Sequence, residues 1–140
     1  MINIIYWTMT GNTEMMANAI GDGVRTAGKE ASVINVSDAN IKDIENENVF
    51  ALGASAMGSE ELDSEMDGFV CDVEKICAGK TIALFGSYDW GDGQWMRSWV
   101  SRMQEAGANI INGEGLIAHL TPDDDAIKAC QELGSKLANC

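Results

Sequence analysis

Five short apolar runs alternate along this chain with longer segments in which apolar residues recur every three or four positions. The first run, residues 2–7, is apolar apart from Asn3, which is typical of a strand buried on both faces of a sheet. Because the connections are short, we expect parallel strands joined by helices that cover both faces. The sequence therefore predicts an α/β fold with a three-layer, doubly wound, five-stranded parallel sheet. Such sheets bind ligands at the carboxyl ends of their strands.

Breaks in the apolar pattern and glycines set the predicted element boundaries. The last helix is expected to start with Thr121 as its N-cap and Pro122 at its first position. Strands are predicted at residues 2–7, 32–36, 49–52, 81–86 and 109–120, the last either continuous or broken at 113–115. Apolar faces predict four helices: Met16, Ile20, Val24 and Ala27; Met66, Phe69, Val70, Val73, Ile76 and Cys77; Trp95, Met96, Trp99, Val100 and Met103; Ala126, Ile127, Cys130, Leu133 and Leu137.

The charge balance narrows the class of partner. The chain has 22 acidic and 9 basic residues among 140, a net charge of −13. This excess of negative charge argues against binding to nucleic acid or to anionic membranes, and it favours partners with a basic face. Acidity that only keeps the protein dissolved is the alternative. We expect residues 1–140 to form one cytoplasmic domain, without a membrane span or a secretion signal.

The cysteines and the histidine do not form a metal-binding pattern. Four cysteines are present without a C-x-x-C pair, and His119 is the single histidine. A zinc or iron–sulfur site is therefore not expected. Cys77 and Cys130 fall on apolar helix faces, where they are expected to act as small core residues.

A hydroxyl-rich segment, Thr8-Met9-Thr10-Gly11-Asn12-Thr13, follows the first predicted strand directly. Its hydroxyls can donate hydrogen bonds, Gly11 allows close approach of the backbone, and the next helix directs free N–H groups at an anion. The Gly-Lys-Ser/Thr ending of nucleotide triphosphate loops is missing. The segment predicts a phosphate site without a cationic side chain. The alternative is an ordinary capped helix start, since Ser, Thr and Asn are common there.

Two further loops end neighbouring strands, and each carries one large side chain among small ones. Residues 54–60 contain Met57, and residues 87–93 contain Trp90. An indole and a thioether can cover the two faces of a planar ring, while adjacent glycines let the backbone reach its edge. The alternative is that both side chains only fill gaps.

These three segments together resemble those of flavodoxins of the short-chain, clostridial type. The resemblance rests on T-x-T-G-N-T at 8–13, S-A-M-G-S-E at 55–60 and G-S-Y-x-W-G-x-G at 86–93, and it extends over nearly the whole chain. It implies a flavodoxin-like sheet of strand order 2-1-3-4-5 and a noncovalently bound FMN. It also implies a low-potential one-electron carrier, cycling through a neutral semiquinone and an anionic hydroquinone, rather than an enzyme. We would then expect a monomer that docks on redox proteins with basic surfaces.

The resemblance also implies roles for single residues. Thr8, Thr10, Asn12 and Thr13 would hold the phosphate, joined by Ser55, and Trp7 would shield its ribityl end. Trp90 and Met57 would cover the two ring faces, Glu60 would accept from flavin N3–H, and the Gly58–Ser59 peptide would turn its carbonyl toward N5–H. Backbone N–H groups near Asp89 and Gly91 would face O2. The other cofactor-binding residues implied by these loops are Met9, Gly11, Ala56, Ser87, Tyr88 and Asp92.

Three other functions are compatible with the same fold class. A response-regulator receiver needs an acidic cluster after strand one and a phosphorylatable Asp at the end of strand three, where this chain has Thr8–Thr10 and residues 53–55, so the sequence argues against it. A small quinone reductase would need an open cavity over the flavin, which a stacked Trp90 would obstruct. A module that binds a phosphate ligand without redox chemistry remains the third alternative.

Overall fold

Parallel strands form the central layer of the computed structural model, which describes residues 1–57, 61–89 and 91–140. The strand order β2-β1-β3-β4-β5 confirms the predicted topology, and a sixth strand also pairs with β4. The strands are β1 (Ile2–Trp7), β2 (Ala31–Asn35), β3 (Val49–Ala54), β4 (Thr81–Tyr88), β5 (Asn109–Ile110) and β6 (Leu116–His119).

Four helices cover the two faces of this sheet: α1 (Asn12–Thr26), α2 (Ser64–Val73), α3 (Gln94–Glu105) and α4 (Asp124–Ala138). Side chains of α1 and α4 pack with Ile4 in one core, whereas those of α2 and α3 pack with Ile5 in the other. Ile4 and Ile5 are both fully buried, because successive side chains of a strand point to opposite faces. The three-layer arrangement therefore follows from strands that are apolar on both sides.

Glycines bring α1 and α4 into close contact. An added Cβ at Gly23 would lie 2.0 Å from the Gln131 carbonyl oxygen, and one at Gly134 would lie 2.0 Å from the Ile20 carbonyl oxygen. Each glycine thus faces the backbone of the other helix. This contact holds the middle of α4 and the middle of α1 together on the same side of the sheet.

The fifth predicted strand is broken into two, which was one of the two predicted alternatives. After β5 the chain makes a 3₁₀ turn over residues 111–113, with Asn112 at a φ of 64°, and resumes as β6. β6 lies along the end of β4, in a register that pairs Phe85 with Leu116 and Tyr88 with His119. The carboxyl end of β4 therefore has a strand on its outer side.

Two strands are longer than predicted. The predicted end of β3 at Leu52 was wrong, since the strand continues through Gly53 to Ala54. Gly53 does not end the strand but makes room for the Phe85 ring, which an added Cβ would approach to 2.2 Å. β4 continues to Tyr88. Ser87 and Tyr88, which were predicted as loop residues, therefore belong to β4 and pair there with β6.

Three smaller predictions were also wrong. β2 ends at Asn35, and Val36 begins a 3₁₀ turn in which the Asn35 side chain accepts from the Ser37 N–H at 3.0 Å. The N-cap of α4 is Asp123 rather than Thr121, because its carboxylate accepts from the Ala126 N–H at 2.8 Å. Ala27, predicted on the apolar face of α1, is exposed at the point where the helix ends.

Candidate functional site

A pocket lies where β1, β3 and β4 end side by side. The register pairs Trp7 with Ala54 and Gly53 with Phe85, which brings the segments after β1 and β3 next to the end of β4. Residues from all three predicted loops line the pocket: Met9, Thr10, Asn12, Ser55, Ala56, Ser87, Tyr88 and Asp89, with Leu120 from beyond β6.

The start of α1 leaves its backbone donors free of side-chain caps. Gly11 is the N-cap, with a left-handed φ of 94°, and no side chain accepts a capping hydrogen bond there. Instead, the Thr8 hydroxyl accepts from the Gly11 N–H at 3.0 Å and stabilises the turn before the helix. The hydroxyl-rich segment is therefore not an ordinary capped helix start. Its geometry presents first-turn N–H groups at the positive end of the helix dipole, next to the pocket.

Three buried hydroxyls tie the helix to the two strands behind the pocket. Thr13, Ser55 and Ser87 are 0%, 6% and 3% exposed. The Thr13 Oγ1 lies 2.6 Å from the Ser55 Oγ and 3.0 Å from the Ser87 Oγ, and it accepts from the Ser87 N–H at 3.2 Å. Ser55 and Ser87 also line the pocket, whereas Thr13 supports them from behind.

The donors around this pocket suit a phosphate group. Hydroxyls of Thr10, Ser55 and Ser87 and the Asn12 amide line it, and among its described lining residues none is Lys, Arg or His. Neutral donors and a helix N-terminus form a known type of site for a phosphate ester. The residues present therefore fit the phosphate end of a phosphorylated ligand such as FMN.

Four other predicted site residues that the structure describes, Trp7, Met57, Gly91 and Asp92, do not line this pocket. Trp7 is half-buried against the core on the α2 side, and Met57 is half-buried, with its N–H donating to the Glu61 carbonyl at 3.0 Å. Gly91 has a φ of 90°, and Asp92 pairs with Arg97 at 2.9 Å. Four predicted residues lie outside the described residues: Gly58, Ser59, Glu60 and Trp90.

Sequence reasoning missed the contribution of β6. Leu120 lines the pocket with a φ of 59°, its N–H donates to the Tyr88 carbonyl at 2.8 Å, and the His119 Nε2 lies 2.7 Å from the Asp89 carbonyl oxygen. Both residues reach the site because β6 pairs with the end of β4. That His119 is the single histidine of the sequence could have drawn attention to it, whereas no feature of the sequence marks Leu120 as a site residue.

The thiols are separate from this site. Burial raises the pKa of Cys130 to about 12, and burial raises that of Cys77 as well. Both are fully buried in the cores, in agreement with their interpretation as small apolar residues. In residues 1–57, 61–89 and 91–140, His, Cys, Asp and Glu form no group of three or more suited to a metal ion.

Residues 4–133 match the sequence model of the family described as flavodoxin. The chain belongs to the flavodoxin family. It is 45% identical to a flavodoxin of Clostridium beijerinckii over 139 residues, covering 99% of each chain. It is 42% identical to a flavodoxin of Megasphaera elsdenii over 139 residues, covering 99% of this chain and 98% of that protein. The solution structure of the two-electron reduced Megasphaera elsdenii flavodoxin superimposes over the full length of both chains with a TM-score of 0.88, at 41% identity.

Membership of this family settles the general activity. The family match and the two full-length relatives confirm the short-chain flavodoxin interpretation. Flavodoxins are flavin-binding electron-transfer proteins rather than enzymes. No helix in the described part of the chain is both long enough and apolar enough to cross a bilayer.

Proposed function

We propose that this flavodoxin binds FMN noncovalently and carries single electrons between redox proteins in the cytoplasm, acting as a monomer. The main support is the pocket at the ends of β1, β3 and β4. There the uncapped start of α1 and the hydroxyls of Ser55 and Ser87 converge without a cationic side chain among the described lining residues. A phosphate is the group that this set of donors suits, and FMN is a flavin that carries one.

Different residues would bind different parts of the ligand. Thr8 stabilises the turn, Thr10, Asn12 and Ser55 would donate to the phosphate, and Thr13 would hold the serine hydroxyls in place. The ring contacts assigned to Trp90, Met57, Glu60 and the Gly58–Ser59 peptide stay predictions from the resemblance. FMN, when bound by these residues, would supply the one-electron redox chemistry.

Acidic residues near the site would make the second electron harder to add. Glu61, Asp89 and Asp92 are exposed near the site, and the chain carries a net charge of −13. One carboxylate ~10 Å from a new negative charge costs about 1.7 kcal/mol at an effective dielectric constant of ~20, which is about 70 mV for one electron before salt screening. Several such groups would give a low potential and would attract partners with basic docking surfaces.

Titration of flavin-free protein with FMN and with riboflavin, followed by fluorescence, tests the phosphate site. Riboflavin lacks the phosphate, so we expect it to bind at least a hundredfold more weakly than FMN. Ser55→Ala should weaken FMN about tenfold and riboflavin less than twofold, because only FMN loses a hydrogen bond. Ser101→Ala, an exposed serine on α3, is the matched control and should change neither affinity. Equal binding of the two flavins would refute the phosphate assignment.

Anaerobic reduction with dithionite, followed by absorbance, tests the carrier function. We expect two separate one-electron steps with a blue intermediate. Electron transfer to a basic acceptor protein should slow as ionic strength rises, while transfer to an acidic acceptor should become faster. Direct two-electron reduction without an intermediate would contradict one-electron transfer.

A further inference from the structure

Two consecutive residues at the end of β6 hold two consecutive carbonyls at the rim of the pocket. The Leu120 N–H donates to the Tyr88 carbonyl at 2.8 Å, and the His119 Nε2 lies 2.7 Å from the Asp89 carbonyl oxygen. The rings of Tyr88 and His119 are 5.0 Å apart, tilted at 52°. Tyr88 and Asp89 both line the pocket, so this part of its wall depends on β6.

The contact with Asp89 determines which ring nitrogen of His119 carries a proton. A carbonyl oxygen only accepts hydrogen bonds, so the Nε2 must donate. The imidazole is therefore either neutral with its proton on Nε2 or a doubly protonated cation. Both forms keep the hydrogen bond, and the difference between them is one positive charge at the rim of the pocket.

We propose that His119 is a positioning residue for the Tyr88–Asp89 wall of the flavin site, and that its proton couples pH to reduction of the bound flavin. This inference rests on the proposed function. The Nε2–H keeps the wall in place at every pH. The imidazolium, formed at low pH, stabilises negative charge that the flavin acquires on reduction. By thermodynamic reciprocity, reduction must then strengthen proton binding at His119.

Other charged groups lie on the elements next to β6. Tyr88 ends the paired strand β4, Asp89 follows it, and Asp92 beyond them is paired with Arg97 at 2.9 Å. Helix α4, which follows β6, begins with three carboxylates at 123–125, of which Asp123 caps the helix. On α1, Glu14 accepts a hydrogen bond from the Tyr6 hydroxyl at 3.2 Å.

Proton NMR of the FMN-loaded protein tests the coupling directly. His119 is the single histidine of the sequence, so its imidazole signal identifies itself. We expect its pKa to be higher in the fully reduced protein than in the oxidised protein, by an amount equal to a threefold to tenfold gain in proton affinity. Each tenfold gain must reappear as a 59 mV change, between high and low pH, in the potential of the step that adds negative charge. Equal pKa values in both states would overturn the coupling.

Two variants separate positioning from charge. His119→Gln keeps a neutral donor for the Asp89 carbonyl, so we expect an FMN affinity within about twofold of that of the original protein. Because glutamine takes up no proton, the pH-dependent part of the potential assigned to His119 should be lost. His119→Ala loses the donor as well, so FMN affinity should fall about fivefold to tenfold. Unchanged affinity in His119→Ala would overturn the positioning role. If the unsubstituted protein bound no FMN, the proposed function itself would fail; if it bound and reduced FMN while His119 stayed silent, only this inference would.

Discussion

Replacing Thr13 by valine tests the hydroxyl cluster behind the pocket. Valine matches threonine in size, so the substitution opens no cavity and removes a single hydroxyl. That hydroxyl contacts the hydroxyls of Ser55 and Ser87 at 2.6 and 3.0 Å and accepts from the Ser87 N–H at 3.2 Å. Each lost hydrogen bond costs about 1 kcal/mol net, and a buried donor left unpaired costs about 1–3 kcal/mol. We therefore expect a loss of about 2–4 kcal/mol in the free energy of unfolding.

This loss is large enough to measure by thermal unfolding. The entropy of unfolding is roughly 2.1 cal/mol/K per residue, which is about 0.3 kcal/mol/K for 140 residues. A loss of about 3 kcal/mol then lowers the Tm by about 10 °C. The assay is circular dichroism on protein freed of flavin, since a bound ligand would add its own stabilisation.

Thr26→Val provides the matched control, because Thr26 is exposed at the last position of the same helix. We expect it to change stability by less than about 0.5 kcal/mol. Combining Thr13→Val with Ser55→Ala should cost less than the sum of the two single losses, since the variants remove the same hydrogen bond. If Thr13→Val lowered the Tm no more than Thr26→Val, the cluster would not stabilise this end of the sheet as argued.

Three further experiments test the helix packing, the predicted ring contact and the buried thiol. Gly134→Ala should destabilise the protein by about 1–3 kcal/mol, because the added Cβ would lie 2.0 Å from a carbonyl oxygen of α1. Gly68→Ala, which has open space on α2, should stabilise it by about 0.5–1 kcal/mol. Chemical denaturation measures both changes, and the same sign for both would contradict the packing argument. Trp90→Ala should weaken FMN binding by about 1–3 kcal/mol through lost stacking, and an unchanged affinity would count against the predicted ring contact. Exposed Cys140 should react with a thiol reagent at pH 8 within minutes. Cys130, whose pKa is raised to about 12 by burial, should react only when the protein unfolds. Rapid modification of Cys130 in the folded protein would contradict this prediction.

The local elements were predictable because their signals are local. An apolar run such as residues 2–7 has to be buried on both faces, so the strand it predicts needs no knowledge of distant residues. The errors arose where two local signals competed. Gly53 suggested a strand end but accommodates the Phe85 ring, and Thr121 suggested a cap two residues before Asp123, which is the residue that caps α4.

The pocket was predictable as a set of loops but not as a set of contacts. The carboxyl ends of adjacent parallel strands meet at one edge, and this rule alone brought Thr10, Ser55 and Asp89 together. It could not show that Thr13 turns its hydroxyl into a buried cluster while Ser55 and Ser87 face the pocket. That division depends on how α1 lies across β3 and β4.

The sequence by itself determined the order of elements and the hydroxyl-rich segment after the first strand, since each depends on residues close together along the chain, and its resemblance to flavodoxins implied the strand order. Only the tertiary structure decided that β6 lies along β4 and carries His119 and Leu120 to the rim of the pocket. The physical reason is that this pairing joins residues about thirty positions apart. A broken strand can lie beside its neighbour in several registers, and its alignment depends on packing of the whole sheet and its helices.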